Sequence, residues 1–218
     1  VRVNLSDIIA KGCKPIGAFL NLSWPKTRPV SQIEEFANSL GYDLQNLFGE
    51  IPLLGGDTTK IDGPLVLSLT ILGEPINIEP VLRNNAQIGD FLIVSGNIGD
   101  AKIGLEALQT NQNQFQEAIS HYQIPKIQNS FLSEIIARYA SASIDVSDGL
   151  LGDANKIAQY SKVGIEIDLE KMPISNDGQN WIENKDNQLD ALLSLASFGD
   201  DYQSLFTINE NGWLEVSN

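Results

Sequence analysis

A single cysteine, Cys13, leaves the chain unable to form an internal disulfide framework and fits a reducing compartment. With one histidine, His121, a multi-histidine metal centre is excluded, and no Ser/His/Asp arrangement can be built around that residue. His121 is expected to face solvent and Cys13 to pack as a small hydrophobe beside Gly12. Basic residues are scarce: 14 Lys and Arg against 28 Asp and Glu give a formal charge of −14. That balance argues against gripping nucleic acid, which requires a basic face to neutralise phosphates. No apolar run approaches the roughly 20 residues that span a bilayer, and no basic-then-apolar leader opens the chain. A cytoplasmic protein without membrane or nucleic-acid partners is expected. The three tryptophans, Trp24, Trp181 and Trp213, are too scattered to suggest a stacking platform.

What remains is an α/β pattern long enough to bury a core unaided. The opening Val1-Arg2-Val3-Asn4-Leu5 lacks an initiator Met and reads as a strand already in progress, so a truncated chain is expected. Ser6-Asp7 then caps a short helix over residues 8–10 that Gly12 stops. A strand is expected over 16–22. Ser31-Gln32-Ile33-Glu34 has capping-box spacing before the amphipathic series Ile33, Phe36, Ala37 and Leu40. Strands are expected over 51–54, 65–72, 91–94, 142–146, 164–169 and 205–208, and helices over 101–108, 131–139, 150–160 and 189–195. Residues 110–116 read as a loop or helix start. Pro75 to Pro80 marks the candidate domain boundary, dividing the chain into 1–78 and 79–218.

Two aspartate-bearing segments carry the chemistry. Gly55-Gly56-Asp57-Thr58-Thr59 reads as a turn in which paired glycines permit close approach of a ligand. Asp145-Val146-Ser147-Asp148-Gly149-Leu150 sets two carboxylates and a hydroxyl across a strand-to-helix junction, where the helix start offers free N–H groups. Asp148 could instead simply cap that helix. Asp145 ends an apolar strand, a costly place for an unpaired charge, so a cation or partner is expected beside it. Mg²⁺ takes few protein ligands and shares its shell with water and phosphates, which makes a nucleotide the first ligand to suspect. Ser95-Gly96-Asn97-Ile98-Gly99 lacks the lysine of a Walker loop and reads as strand-to-helix turning. Phe198-Gly199-Asp200-Asp201-Tyr202 is either a charged loop or part of a site.

Taken in order, these segments resemble the thiamine-monophosphate kinases of the aminoimidazole ribonucleotide synthetase superfamily. The resemblance rests on Val3-Asn4-Leu5-Ser6-Asp7 with Gly12 and Pro15, then Gly55-Gly56-Asp57-Thr58-Thr59 and Leu72-Gly73-Glu74. Arg83, Ala86, Gly89-Asp90, Gly96, Gly99-Asp100 and Gly104-Leu105 follow. Asp145-Val146-Ser147-Asp148-Gly149-Leu150 with Asp153, Pro173 and Gly199-Asp200-Asp201-Tyr202 complete the series. It implies an α+β fold of two halves, an N-terminal one that forms a sheet and dimerises and a C-terminal one with helices on a sheet, with a cleft between them. It further implies ATP-dependent phosphorylation of thiamine monophosphate by in-line transfer, with Mg²⁺ and without a catalytic acid or base. Asp7, Asp57, Asp145 and Asp148 would be metal ligands, with Gly56, Asp57, Arg83 and Ser147 near ATP and Asp200 facing thiamine. A guanidinium such as Arg83 can clamp a phosphate bidentately. The family's Gly-Asp-Asp metal motif would lie before Val1 and its C-terminal portion beyond this chain. Pro125-Lys126 stands for its Pro-Arg, and Phe198-Gly199-Asp200-Asp201 for its Gly-Gly-Glu-Asp. The alternatives are a sibling ATP-using enzyme and an inactive remnant kept for binding or dimerisation.

Overall fold

A computed structural model describes residues 1–217. Its order is α1 (Arg2–Ala10), β1 (Cys13–Pro25), α2 (Ser31–Asn46), β2 (Leu53–Ile61), β3 (Val66–Pro75), β4 (Phe91–Val94) and α3 (Asp100–Thr110). Then come α4 (Gln116–Gln123), α5 (Ser130–Tyr139), β5 (Ala140–Asp145), α6 (Leu150–Ser161), α7 (Asn176–Glu183), α8 (Gln188–Ala196), β6 (Ser204–Ile208) and α9 (Glu210–Val216). Two three-stranded sheets result, ordered β2-β1-β3 and β4-β6-β5. The parallel β1–β2 pair is joined by α2, as a parallel connection requires a crossover; β3 adds antiparallel on the other side of β1. The second sheet is antiparallel throughout. No helix among the described residues is long and apolar enough to cross a membrane.

The opening segment is helix rather than strand. Leu5 and Ile9 fall four apart and are both buried, a spacing that places them on one helical face, and this burial outweighs the strand preference of Val1 and Val3. Ser31 begins α2 but does not cap it: Pro29 and Val30 already accept the first turn's N–H bonds, which leaves Val30 at the cap position. Gly55-Gly56-Asp57-Thr58-Thr59 is not a turn but the middle of β2. A Cβ on Gly56 would lie 1.8 Å from the Leu20 carbonyl oxygen, so glycine is needed for β2 to sit against β1. Residues 164–168 are extended and their alternate apolar side chains Ile165 and Ile167 pack on the core, but they join no ladder among the described residues. Helices α4, α7 and α9 were not legible from periodicity.

Helix α1 is the piece that matters for function, because it joins the two halves. Its Asn4 side chain donates to the Leu69 carbonyl of β3, while the Ser133 hydroxyl of α5 reaches the Ile9 carbonyl of α1 at 3.4 Å and the Cys13 carbonyl of β1 at 2.8 Å. Gly12 turns the chain out of α1 with φ +60°, and a Cβ there would strike the Ala137 backbone at 2.8 Å. The C-terminal core is built from Ile98, Ile103, Ile144, Val146, Ile157, Leu195 and Leu205; the N-terminal cluster is small, centred on Leu5, Ala18, Leu44 and Ile51.

Candidate active site

Asp145 ends β5 with its carboxyl almost fully buried. It accepts the Ser6 hydroxyl of α1 at 3.2 Å. Burial pushes its pKa well above the usual carboxylate range, and the adjacent Asp7 carboxylate pushes it further, so the two acids form one site assembled from opposite halves of the chain. Lys11 lies one helical turn beyond Asp7 and donates from Nζ to the Ser143 carbonyl at 3.1 Å. Its pKa is lowered by burial and then by the nearby Arg83 guanidinium, against the pull of Asp145 and Asp7. Arg83 itself is exposed and stacks over the Tyr160 ring, 5.4 Å from its centroid. A carboxylate pair with Lys11 near it, and Arg83 near Lys11 in turn, therefore stands where α1 meets the end of β5.

The turn after β5 is held from behind. Fully buried Asp153 of α6 accepts the Ser147 and Asp148 N–H groups at 3.0 and 2.9 Å, so those donors are taken and are not free for an anion. Asp153, and not Asp148, thus ties down the turn. Asp148 is exposed and paired with Lys156, which also bridges to Asp153 at 2.7 Å. The segment 199–202 is laced onto this turn: Asp200 N–H donates to the Ser147 carbonyl at 3.1 Å and Tyr202 N–H to the Val146 carbonyl at 2.9 Å. A Cβ on Gly199 would lie 2.1 Å from the Ser147 carbonyl oxygen, which explains glycine there. The Tyr202 hydroxyl donates to Asp200 Oδ1 at 2.8 Å. Its ionisation is disfavoured first by burial, then by Asp200, and also by Asp145 and Asp7, which places the phenol in the same electrostatic neighbourhood.

Of the residues singled out from sequence, the fold brings Asp7 and Asp145 together; Asp200 is laced to the Ser147 turn that follows Asp145, with Asp148 on the same turn, and Arg83 lies near Lys11. Asp57 stands on β2 opposite Asn21, exposed, its Oδ1 accepting the Thr58 N–H at 2.8 Å. Gly56 serves the packing of β2 described above. Among the described residues no group of three or more His, Cys, Asp or Glu side chains is arranged to hold a metal ion. The chemistry of Asp7 and Asp145 nevertheless fits Mg²⁺: two hard oxygen donors whose mutual repulsion a divalent cation relieves, with the remaining shell left to water and phosphate.

Lys11, Ser6, Asp153 and Asp201 were missed as site residues. Lys11 was within reach of sequence reasoning, since Asp7 and Lys11 share a helical face once residues 2–10 are read as helix. His121 is not solvent-facing but buried, its ring nitrogens bonded to the backbone of Lys126 and Asp201. Cys13 is buried, as a small hydrophobe would be.

The model of the AIR synthase related protein N-terminal domain matches residues 1–74 and that of the C-terminal domain residues 87–215. A thiamine-monophosphate kinase of Caulobacter vibrioides is 40% identical over 212 residues, covering 97% of this chain and 59% of the relative. That of Aquifex aeolicus is 34% identical, covering 98% of this chain and 68% of the relative. A solved structure described as AaThiL complexed with AMPPCP and TMP superposes with a TM-score of 0.83 at 34% identity, covering 97% of this chain and 67% of that one. The chain thus spans about three-fifths to two-thirds of the length of these relatives. By these matches, and with the ordered motifs around Asp7, Asp145 and Asp200, the chain belongs to the AIR synthase related protein family and, within it, to the thiamine-monophosphate kinases.

Proposed function

We propose that the complete protein transfers the γ-phosphoryl group of ATP to thiamine monophosphate, giving thiamine diphosphate. The observation that carries this reading is the Asp7–Asp145 pair, brought together from the two halves of a chain whose solved relative is described with an ATP analogue and TMP. Asp7 and Asp145 would hold Mg²⁺, with Asp57 and Asp148 as the further carboxylates that could join them. The bound metal supplies charge neutralisation for the phosphates in an in-line transfer. Arg83 grips a phosphate from the open side, with Gly56, Asp57 and Ser147 beside the nucleotide. Asp200, held by Tyr202, faces the thiamine moiety. No side chain acts as general base, because the accepting phosphate oxygen is already ionised at neutral pH. The residue sets divide between units 1–78 and 79–218. The exposed apolar side chains Leu53, Leu54, Val66, Leu67 and Leu72 of β2 and β3 suit a homodimer contact through the N-terminal sheet. The lone thiol and the lack of a membrane-spanning helix among the described residues suit a cytoplasmic enzyme.

The test is formation of thiamine diphosphate from thiamine monophosphate, ATP and Mg²⁺ by the complete protein, wild type and Asp145→Ala. Turnover in the wild type and a loss of about a thousandfold or more in the variant are expected, as for removal of a preorganised electrostatic group. Equal turnover in both would contradict the assignment of Asp145.

A further inference from the structure

Asp201 is fully buried, yet nothing in the reaction as described uses it. Its Oδ2 accepts the Gly99 N–H at 2.7 Å and its Oδ1 the Ala101 N–H at 3.0 Å, so both oxygens are spent on the first turn of α3, about a hundred residues away in sequence. Its own carbonyl is held in turn. His121 Nδ1 accepts the Lys126 N–H at 3.3 Å, so the hydrogen sits on Nε2, which donates to the Asp201 carbonyl at 3.1 Å. Gln203 Nε2 donates to the same carbonyl at 3.3 Å, while its Oε1 accepts from Ser95 and Gln128. On either side of this anchor the backbone is left-handed at residues that are not glycine: Asp200 at φ +67° and Tyr202 at φ +51°. Such conformations are strained for residues with a Cβ and persist only where their surroundings over-determine them.

We propose that Asp201 is a positioning residue. Clamped to the start of α3 through its carboxylate and to His121 and Gln203 through its carbonyl, it holds Asp200 and Tyr202 in strained backbone conformations, so that the Asp200–Tyr202 pair faces the Asp7–Asp145 site. The alternation is direct: Asp200 and Tyr202 turn outward and bond each other, and the residue between them turns inward and carries the fastening. This inference rests on the proposed kinase reading only for the identity of the substrate that meets Asp200.

Asp201→Asn preserves size but sets an NH₂ group against either the Gly99 or the Ala101 N–H, a donor facing a donor. In the complete protein this variant is expected to lower the hydrogen-exchange protection of the Asp200 and Tyr202 amides by about tenfold or more. It is also expected to raise KM for thiamine monophosphate about tenfold, with KM for ATP held within about twofold. In a Tyr202→Phe background the same substitution should add little, because the two changes act through one contact. Unchanged protection of both amides would overturn the proposal, as would equal shifts in both KM values or fully additive losses. Should Asp201→Asn fail to fold, His121→Gln loosens the same anchor from its carbonyl side and is judged by the same exchange and KM criteria. A wild-type protein with no turnover of thiamine monophosphate would remove the kinase reading, while the exchange measurement would still decide the positioning role.

Discussion

In the β4-β6-β5 sheet every residue of the central strand β6 is buried, whereas the outer strands of β2-β1-β3 leave Leu53, Leu54, Val66, Leu67 and Leu72 open to solvent. The β4-β6-β5 sheet is packed by α5 and α6 of its own half, with α1 against it as well, and closes a core around Ile144, Val146 and Leu205. The β2-β1-β3 sheet has α1, α2 and the end of α5 against it and a small cluster around Leu5, Ala18, Leu44 and Ile51. The half that holds Asp145, Asp148 and Asp200 is therefore the self-supporting one. The half that contributes Asp7 does so through α1, which packs against α5, β5 and β6 of the other half. This asymmetry teaches that the site depends on a joint between a well-packed body and a sparsely packed one.

The largest contrast should come from truncating an apolar side chain on the central strand of one sheet and one on an outer strand of the other. Phe206→Ala, in β6, removes a ring that is 2% exposed and should cost about 3–5 kcal/mol of stability by chemical denaturation. Leu67→Ala, in β3 at 46% exposure, should cost about 0.5 kcal/mol or less, and should instead weaken self-association measured by sedimentation. Similar destabilisation by both would erase the distinction.

A smaller effect is expected from pH. Burial pushes Asp201 up to about 7, although the Gly99 and Ala101 N–H groups pull it down. An acid whose folded pKa exceeds its unfolded value of 3.8 binds its proton more tightly in the native state. Its contribution is therefore fully present at low pH, and stability falls as pH rises from about 4 to about 7. The slope of unfolding free energy over that window should flatten in Asp201→Asn, and a slope identical to wild type would show that Asp201 is not its source.

The smallest effect belongs to an exposed ion pair at the end of the N-terminal sheet, Lys26–Asp62. Lys26 and Asp62 approach to 2.6 Å with both side chains more than half exposed. Lys26→Ala should change stability by about 0–1 kcal/mol and less still at high salt. A larger loss would mean that this sheet is more tightly coupled than its burial suggests.

Much of the C-terminal half was legible in the sequence, because its strands and helices carry strong apolar runs ended by Gly, Ser or Asp. The residues 91–94, 131–139, 150–160 and 205–208 were read within a residue or two of their observed bounds. The N-terminal half misled, besides at the Ser31 capping box, at two places for physical reasons. Val1 to Leu5 looks like strand locally but is helical because Leu5 and Ile9 are buried together, a tertiary fact. Gly55-Gly56 looks like a turn, yet the glycines serve contact with the Leu20 carbonyl across a β-ladder. Asp7, Asp145 and Asp200 could be picked out by motif. Asp153 and Asp201 fall within the same motifs, but what they do could not be read there, since it lies in which distant backbone groups they bond. His121 misled because a lone histidine carries no sequence sign of the loop backbone that encloses it.

The central claim is that Asp7 and Asp145, from the two halves, form one cation site. Titration calorimetry of Mg²⁺ into the complete protein, with a non-hydrolysable ATP analogue present, tests it most directly when wild type is compared with Asp7→Asn and Asp145→Asn. Each variant should weaken Mg²⁺ binding by about tenfold or more, and the double variant should lose little beyond either single one, because both remove the same site. Wild-type affinity in either variant, or independent losses that simply add, would contradict the claim.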